Sequence, residues 1–478
     1  MTKAVERMSR VDTAWLRMDT DANLMMIIGV WLLEPAITHE ALCRRVEDSL
    51  LTYRRFRQKV VEDALGASWV EDDDFDVRRH VVRETLRRRR GQSPAQALQQ
   101  RVGELAIQPL DPAHPLWQYH LIEDYNGGSA MIARIHHCIA DGIALIAVTM
   151  SMVDGGKPPP RSARVVPDAD EGHGDWLSDA VLRPLTDAAV KAIGLTGTGV
   201  ARSVDLLAHP EHSVTGTLDL ARSGVQVIGD AAAILLMADD SPTRLKGKPE
   251  RGKRVAWCPP LPLADVKAVG RALGCSINDV LLATAASAIG GYLRDHGDDT
   301  AGQEIRAMVP VNLRPLAEAH DLGNRFGLVP LVLPIGIDNP VERVYEVRKR
   351  MRELKGSYQP LLAFAMLMVA GLLVKPAQAA LLNYFARKAT AVMTNVPGPA
   401  QPVKLCGATL KESMFWVPQS GDIGMGVSIL SYAGGVQFGL ITDAKLCPDP
   451  EAIVARFRPE FEKLLWLTLM LPWGEGEA

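Results

Sequence analysis

The chain has 478 residues, 47% of them apolar and 23% charged, with a formal net charge of −3. That length exceeds one ordinary hydrophobic core and predicts two domains. The near-neutral balance offers no basic field for nucleic acid, and six scattered cysteines with no CxxC pair argue against a disulfide framework and fit a reducing cytoplasm.

The opening MTKAVERMSRVDTAWLRMD lacks an apolar signal core, so secretion is not expected. Met25–Leu33 reads as a strand and His39–Arg54 as a helix. EDDDFD (Glu71–Asp76) and the basic stretch ending in RRRR (Arg87–Arg90) read as a solvated hairpin and loop. Attraction to cofactor phosphates or to an anionic lipid surface is the alternative. The apolar run Met131–Ile135 predicts a buried strand, and Ile143–Val153 a helix. GGKPPPRSARVVPDADEGHGD then breaks the pattern as a linker. Helical patterns follow from Trp176 to Ala238, with a gap near His209–Thr217, and strands and helices alternate again from about Val255. The predicted organisation is therefore an N-terminal α/β domain at 1–154, a linker with helices at 155–254, and a C-terminal α/β domain at 255–478. The apolar run Leu361–Val374 has 14 residues, short of the roughly 20 a spanning helix needs. It reads as a buried helix, or as one lying in a lipid surface or lining an apolar tunnel. KLLWLTLMLPW, with Trp466 and Trp473, is a second apolar surface candidate. There is no short-period repeat, Walker loop or Rossmann glycine fingerprint.

The candidate chemistry sits in ARIHHCIADG, Ala133–Gly142. Neighbouring strand residues point to opposite faces, so His136 and His137 cannot both serve one site if the strand runs through them. One imidazole at the strand end could act as a general base while the other packs. A satisfied pair of core histidines is the alternative. Adjacent histidines do not suit one metal, and HPEH (His209–His212) has a proline inside it, so no metal is expected. There is no G-x-S-x-G elbow, and Cys138 reads as a packed thiol. Asp141 is expected to anchor the turn, and Gly142 to adopt a backbone angle closed to other residues.

HHCIADG matches the HHxxxDG signature of coenzyme-A-dependent acyltransferases. HPLW (His114–Trp117), NDVLLA (Asn278–Ala283), PVNLRP (Pro310–Pro315), GNRFG (Gly323–Gly327) and TNVPGP (Thr394–Pro399) follow in order, after the opening MSRVDTAWL. Over nearly its whole length the chain resembles the bacterial wax ester synthase/diacylglycerol acyltransferase family. It departs from the family at SPTRLKG (Ser241–Gly247), where a Ser/Thr-Pro-Leu-Asn-Gly stretch is usual. The resemblance implies two chloramphenicol-acetyltransferase-like α/β domains with mixed sheets and a channel at their interface. It implies His137 as the base, with His136, Asp141 and Gly142 completing the motif, Asp141 in a structural role. Asn278 would polarise or position groups at the reacting centre, although locally NDVLLA reads only as a helix start. Trp117, Arg314 and Asn395 are the candidate substrate contacts, with rigid turns as the local reading of PLW and TNVPGP. Arg325 is, like Arg314, a candidate anion partner. The implied reaction moves a long-chain acyl group from acyl-CoA to a fatty alcohol or diacylglycerol, with no bound cofactor and no metal. The implied setting is cytoplasmic, peripheral to the inner membrane and lipid bodies. A condensation-type enzyme using a carrier-protein thioester, or a non-catalytic lipid-droplet surface protein, are the alternatives.

Overall fold

The structure is a computed structural model and describes residues 5–63, 66–156, 229–313, 322–373 and 375–470. Strands are numbered here in chain order. The first large sheet holds, side by side, Lys404–Leu405 (β13), Ala408–Trp416 (β14), Met26–Glu34 (β2), Gly128–His136 (β7), Trp117–Tyr125 (β6) and Val81–Glu84 (β5). Its neighbours are antiparallel except for the parallel β5–β6 pair. The second holds Phe326–Leu333 (β11), Ile305–Asn312 (β10), Ala391–Pro397 (β12), Met425–Tyr432 (β15), Gly435–Asp443 (β16) and Lys253–Trp257 (β8), with Leu261–Pro262 (β9) also on β16. β12 runs parallel to both its neighbours, so this sheet too is mixed. Glu6–Arg7 (β1), Gly66–Glu71 (β4) and Gln58–Asp63 (β3) make a small third sheet.

Strand β2, MIIGVWLLE, is apolar nearly throughout because both its faces are covered. Ile27, Trp31 and Leu33 enter one core, and Met26, Ile28 and Val30 the opposite one, as the period of two requires. The helices used below are α1 (Arg10–Leu16), α2 (Pro94–Ala106), α3 (Gly142–Met152), α4 (Ile277–Asp295), α5 (Pro340–Lys355), α6 (Gln359–Ala370), α7 (Lys375–Ala386) and α8 (Pro450–Leu469). Helix α2 starts from a capping box of Ser93 and Gln96, with Pro94 in the first turn. It buries Leu98, Val102 and Leu105 over the Met26–Val30 face, at about 1.5–3 kcal/mol per side chain. It also crosses onto β8, where a Cβ at Gly103 would lie 2.6 Å from the Lys253 carbonyl oxygen. Helix α3 covers the other face with Leu145, Val148 and Met152. Helix α4 is the spine of the second half. It is buried all round from Asp279 to Leu293, which is why its apolar residues form no single stripe.

Three sequence expectations change. The division at 255 is crossed, because β13 and β14 join β2 in the first sheet. The His39–Arg54 helix ends at Asp48 and continues as two short 3₁₀ turns. Within the acidic run, Asp72 is buried and pairs with His114 (2.8 Å) and Lys59 (3.6 Å), whereas Arg87–Arg90 are exposed. Of the Leu361–Val374 run, the residues to Ala370 belong to α6, where Leu362, Leu367 and Val369 are buried, while Leu372 beyond it is exposed. Among the described residues, no single helix is long and apolar enough to cross a membrane. HPEH, Trp473 and most of the Trp176–Ala238 stretch lie outside the described residues.

Candidate active site

Strand β7 ends at His136, paired opposite Met26. The His137 N–H donates to the Met25 carbonyl (2.7 Å), so the chain leaves the sheet just as the second imidazole emerges. The two rings diverge as adjacent strand residues must. His136 Nε2 lies 3.3 Å from Asp19 Oδ1, and its Nδ1 accepts the Cys138 N–H (3.2 Å). It lines neither cavity described below and serves to hold the turn.

His137 faces a cavity of about 1,190 Å³ between the two halves. Its ring stacks on Trp15, centroids 4.3 Å apart and planes 17° apart, and lies 5.4 Å from Phe326. Burial pushes the imidazole down to about 4 from an ordinary 6.5, while Asp141 and Asn324 pull more weakly the other way. The ring is therefore neutral at pH 7, with a lone pair to offer.

Asp141 caps α3. Its Oδ1 accepts the Ala144 N–H (2.9 Å), and its Oδ2 accepts the Arg325 N–H (3.0 Å) from the loop before β11. The carboxylate thus anchors the turn, as expected, and also ties the two halves together beside His137. Asn324 strengthens that tie. Its Nδ2 donates to the His137 carbonyl (2.8 Å) and to Asp12 Oδ1 (2.7 Å), and Asp12 also accepts the Asn324 N–H (3.2 Å). Burial raises the pKa of the Asp12 carboxyl. The adjoining Gly323, at φ +118°, takes a conformation that glycine allows and its carbonyl accepts the Asp141 N–H (3.3 Å).

Gly142 does not have the unusual backbone angle expected of it, since it is absent from the positive-φ positions. It opens α3 at the cavity wall, and a Cβ there would meet no atom within 4 Å. Glycine here leaves space for a ligand. Opposite, Asn278 stands in the first turn of α4, started by a capping box of Ser276 and Asp279. Asn395 Nδ2 donates to Asn278 Oδ1 (2.7 Å), and both line the cavity. That bond orients Asn278 and leaves its own Nδ2 for a guest.

Trp117 is elsewhere. It is fully buried, donates from Nε1 to the Phe56 carbonyl (2.9 Å) and stacks on His80 at 4.5 Å. It lines neither cavity and is a core residue, not a substrate contact. Arg325 meets Asp141 through its backbone N–H. Arg314 lies outside the described residues. Trp15, Asp12, Asp19, Asn324 and Phe326 were not singled out from sequence, though all but Asp19 lie in the matched stretches MSRVDTAWL and GNRFG.

The cavity walls are largely apolar and come from both halves, with Ala363, Met366 and Leu367 of α6 among them. Helix α6 thus lines the cavity as well as packing into the core. A second cavity of about 130 Å³ lies between the first sheet and α3, bounded by Gly29, Ala133, Leu145 and Met152. Gly142, Ile146, Val396 and Gly398 border both, so the small cavity adjoins the large one. Among the described residues no group of three or more His, Cys, Asp or Glu side chains is placed to hold a metal ion. A neutral imidazole in an apolar cavity walled by both halves suits proton abstraction from a hydroxyl.

Residues 8–281 match the wax ester synthase/diacylglycerol acyltransferase catalytic domain, and residues 322–465 match the C-terminal domain of the same family. Among similar proteins are a putative diacylglycerol O-acyltransferase of Mycobacterium bovis and a probable one of Mycobacterium tuberculosis. Each is 27% identical over 93% of this chain and 92% of its own length. The fold is shared with the wax ester synthase/diacylglycerol acyltransferase from Marinobacter aquaeolei VT8, with a TM-score of 0.65 and 19% identity over 97% of this chain and all of that one. It is also shared with the first condensation domain of the calcium-dependent antibiotic synthetase, with a TM-score of 0.58 and 13% identity over 98% of this chain and 97% of that one. With both domain models matched in order around a shared channel, the chain belongs to the wax ester synthase/diacylglycerol acyltransferase family.

Proposed function

We propose that this chain transfers a long-chain acyl group from acyl-CoA to the hydroxyl of a fatty alcohol or diacylglycerol, with His137 as general base. The observation that carries this is the neutral His137 ring on the wall of a large apolar cavity that Asn278 and Asn395 also line. The alcohol oxygen attacks the thioester carbonyl as His137 takes its proton. The Asn278 amide donates to the carbonyl oxygen as it gains charge. The negative charge of Asp141 offsets the imidazolium that forms. The tetrahedral intermediate then collapses, the C–S bond breaks, and the CoA thiolate takes the proton from His137. No acyl-enzyme forms and no bound cofactor takes part. Apolar side chains around the reacting atoms strengthen these electrostatic contacts by keeping water out.

Peripheral contact with an inner-membrane or lipid-body surface belongs to the same reading. It is supported by the end of α8, where Trp466 is 63% exposed and Met470 81% exposed, with Leu469 between them. Such a patch gains by burial against lipid. Transfer is tested with purified protein, palmitoyl-CoA, and either hexadecanol or dipalmitoylglycerol. Thiol release should depend on the alcohol and match ester formed. Thiol release that neither acceptor stimulates overturns the assignment.

A further inference from the structure

Helix α5 carries Arg348, Arg352 and Lys355 at positions i, i+4 and i+7, which place them on one face over about 10 Å. Met351 on that face and Leu354 beside it line the large cavity, as does Lys355 itself. Arg348 reaches towards the start of α4, with Nη1 3.9 Å from Cys275 Sγ, three residues before Asn278. Leu263 and Ile277 line the same end of the cavity. Arg348 is half-buried, and Arg352 and Lys355 are exposed. Among the described residues none of the three has a carboxylate within 4 Å, whereas Arg350 on the other side of the helix pairs with Glu346 and Glu304. Of the neighbouring acids, Asp279 is buried and committed to the capping box of α4, and Asp230 accepts the Tyr358 N–H (2.7 Å) just past Lys355.

The cation lining the cavity near α7 is placed differently. Lys388 pairs with Asp239 at 2.8 Å and lies over the Tyr384 ring at 4.3 Å. Among the described residues, the α5 side of the cavity therefore offers cations without a carboxylate partner, and the α7 side a cation that has one. Unpaired cations at a channel mouth repel one another unless an anion joins them.

We infer that Arg348, Arg352 and Lys355 form the docking site for the phosphate groups of CoA. The acyl thioester then enters the channel past Met351 and Leu354 and reaches His137 from the α5 side. This rests on the proposed acyl-CoA reaction, and it assigns each end of the channel. The phosphates stay at the exposed mouth, where cations can meet them without being desolvated. The pantetheine arm runs along the apolar wall. The alcohol has the opposite side, towards α7.

The test uses the full chain and two readouts. Calorimetric titration with CoA itself needs no turnover. Arg348→Gln/Arg352→Gln keeps much of each side-chain stem and removes two charges. It should weaken CoA binding by about 10- to 30-fold, at about 5-fold for each surface pair. The second readout is the ratio of kcat/KM for octanoyl-CoA to that for octanoyl-pantetheine, which has no phosphates. That ratio should fall by the same factor. Arg348→Lys/Arg352→Lys should retain most of it, which separates charge from a loss of fold.

An unchanged CoA affinity in the glutamine variant overturns the inference, as does an unchanged ratio. Wild-type protein that transfers octanoyl from pantetheine but does not bind CoA also overturns it while leaving the transfer reaction standing. Conversely, CoA binding that weakens as predicted in a protein with no transferase activity upholds the docking site and removes the proposed reaction. Sedimentation with phosphatidylglycerol vesicles covers the other source of phosphate. Lost vesicle binding with unaltered CoA affinity would make the stripe a lipid surface and overturn the proposal.

Discussion

The acid limb of activity is where His137 can be tested most directly. Its imidazole is pushed by burial to about 4, against 6.5 in an unfolded chain. Between those values the unfolded state binds a proton that the folded state does not, so stability is complete above about pH 6.5 and is lost as pH falls towards 4. That depression corresponds to about 3 kcal/mol, of which about 2 kcal/mol is gone by pH 5. The raised carboxyl of Asp12 acts in the opposite sense. The comparison is therefore made with His137→Gln, in which Asp12 is retained.

Urea unfolding of both proteins at pH 7, 5.5 and 4.5 is the assay. The stability difference, wild type minus variant, should shrink steadily as pH falls. The rate should behave differently from that of an ordinary histidine base. At pH 5.5 an imidazole of pKa 6.5 is only about one-tenth neutral, whereas His137 remains almost wholly neutral. kcat/KM should then be nearly flat from pH 7.5 to 5.5 and fall only nearer pH 4, while His137→Gln loses about 10²–10⁴-fold at every pH. An acid limb centred at 6.5, together with a stability difference that ignores pH, would refute the buried neutral base. Full activity in folded His137→Gln would refute the base itself.

Four further outcomes follow from the geometry. Asp141→Asn can retain only one of the bonds to Ala144 and Arg325; it should cost about 1.5–3 kcal/mol in urea unfolding as well as lowering kcat. Ala133→Leu projects into the small cavity bounded by Gly29 and Met152, and should lower kcat/KM for palmitoyl-CoA relative to decanoyl-CoA if an acyl chain extends into that cavity; an unchanged ratio removes the cavity from substrate binding. Trp117→Phe loses the bond to the Phe56 carbonyl and should lower stability by about 1–2 kcal/mol while leaving KM for both substrates alone. Trp466→Ser/Met470→Ser removes two exposed apolar side chains from the end of α8 and should weaken sedimentation with lipid vesicles without lowering the melting temperature; retained sedimentation would place the lipid contact elsewhere.

Local signals in the sequence carried the centre of the site. Apolar runs mark β2 and β7 because both faces of the first sheet are covered, and the two-residue period separates His136 from His137. Asn278 was read locally only as a helix start, and its place in the channel became visible through its bond from Asn395, 117 positions along the chain. What stayed hidden was non-local. Nothing in Ala408–Trp416 says that it pairs with β2 rather than with its sequence neighbours, because pairing partners share only a period. Asn324 was invisible for a different reason. It acts by holding the carbonyl of His137 and the carboxylate of Asp12, and a backbone carbonyl leaves no mark in a sequence. Trp117 and Gly142 were misread in opposite directions. A tryptophan in a matched motif resembles a substrate contact, yet its size made it a core residue. A glycine after a turn resembles a backbone device, yet it is the missing side chain that matters, because Gly142 borders both cavities. The residues that bind the two halves together, Asp12, Asp141 and Asn324, surround the backbone of the proposed base. Its position is therefore coupled to how the halves dock, and a change at that junction reaches His137 without touching a substrate.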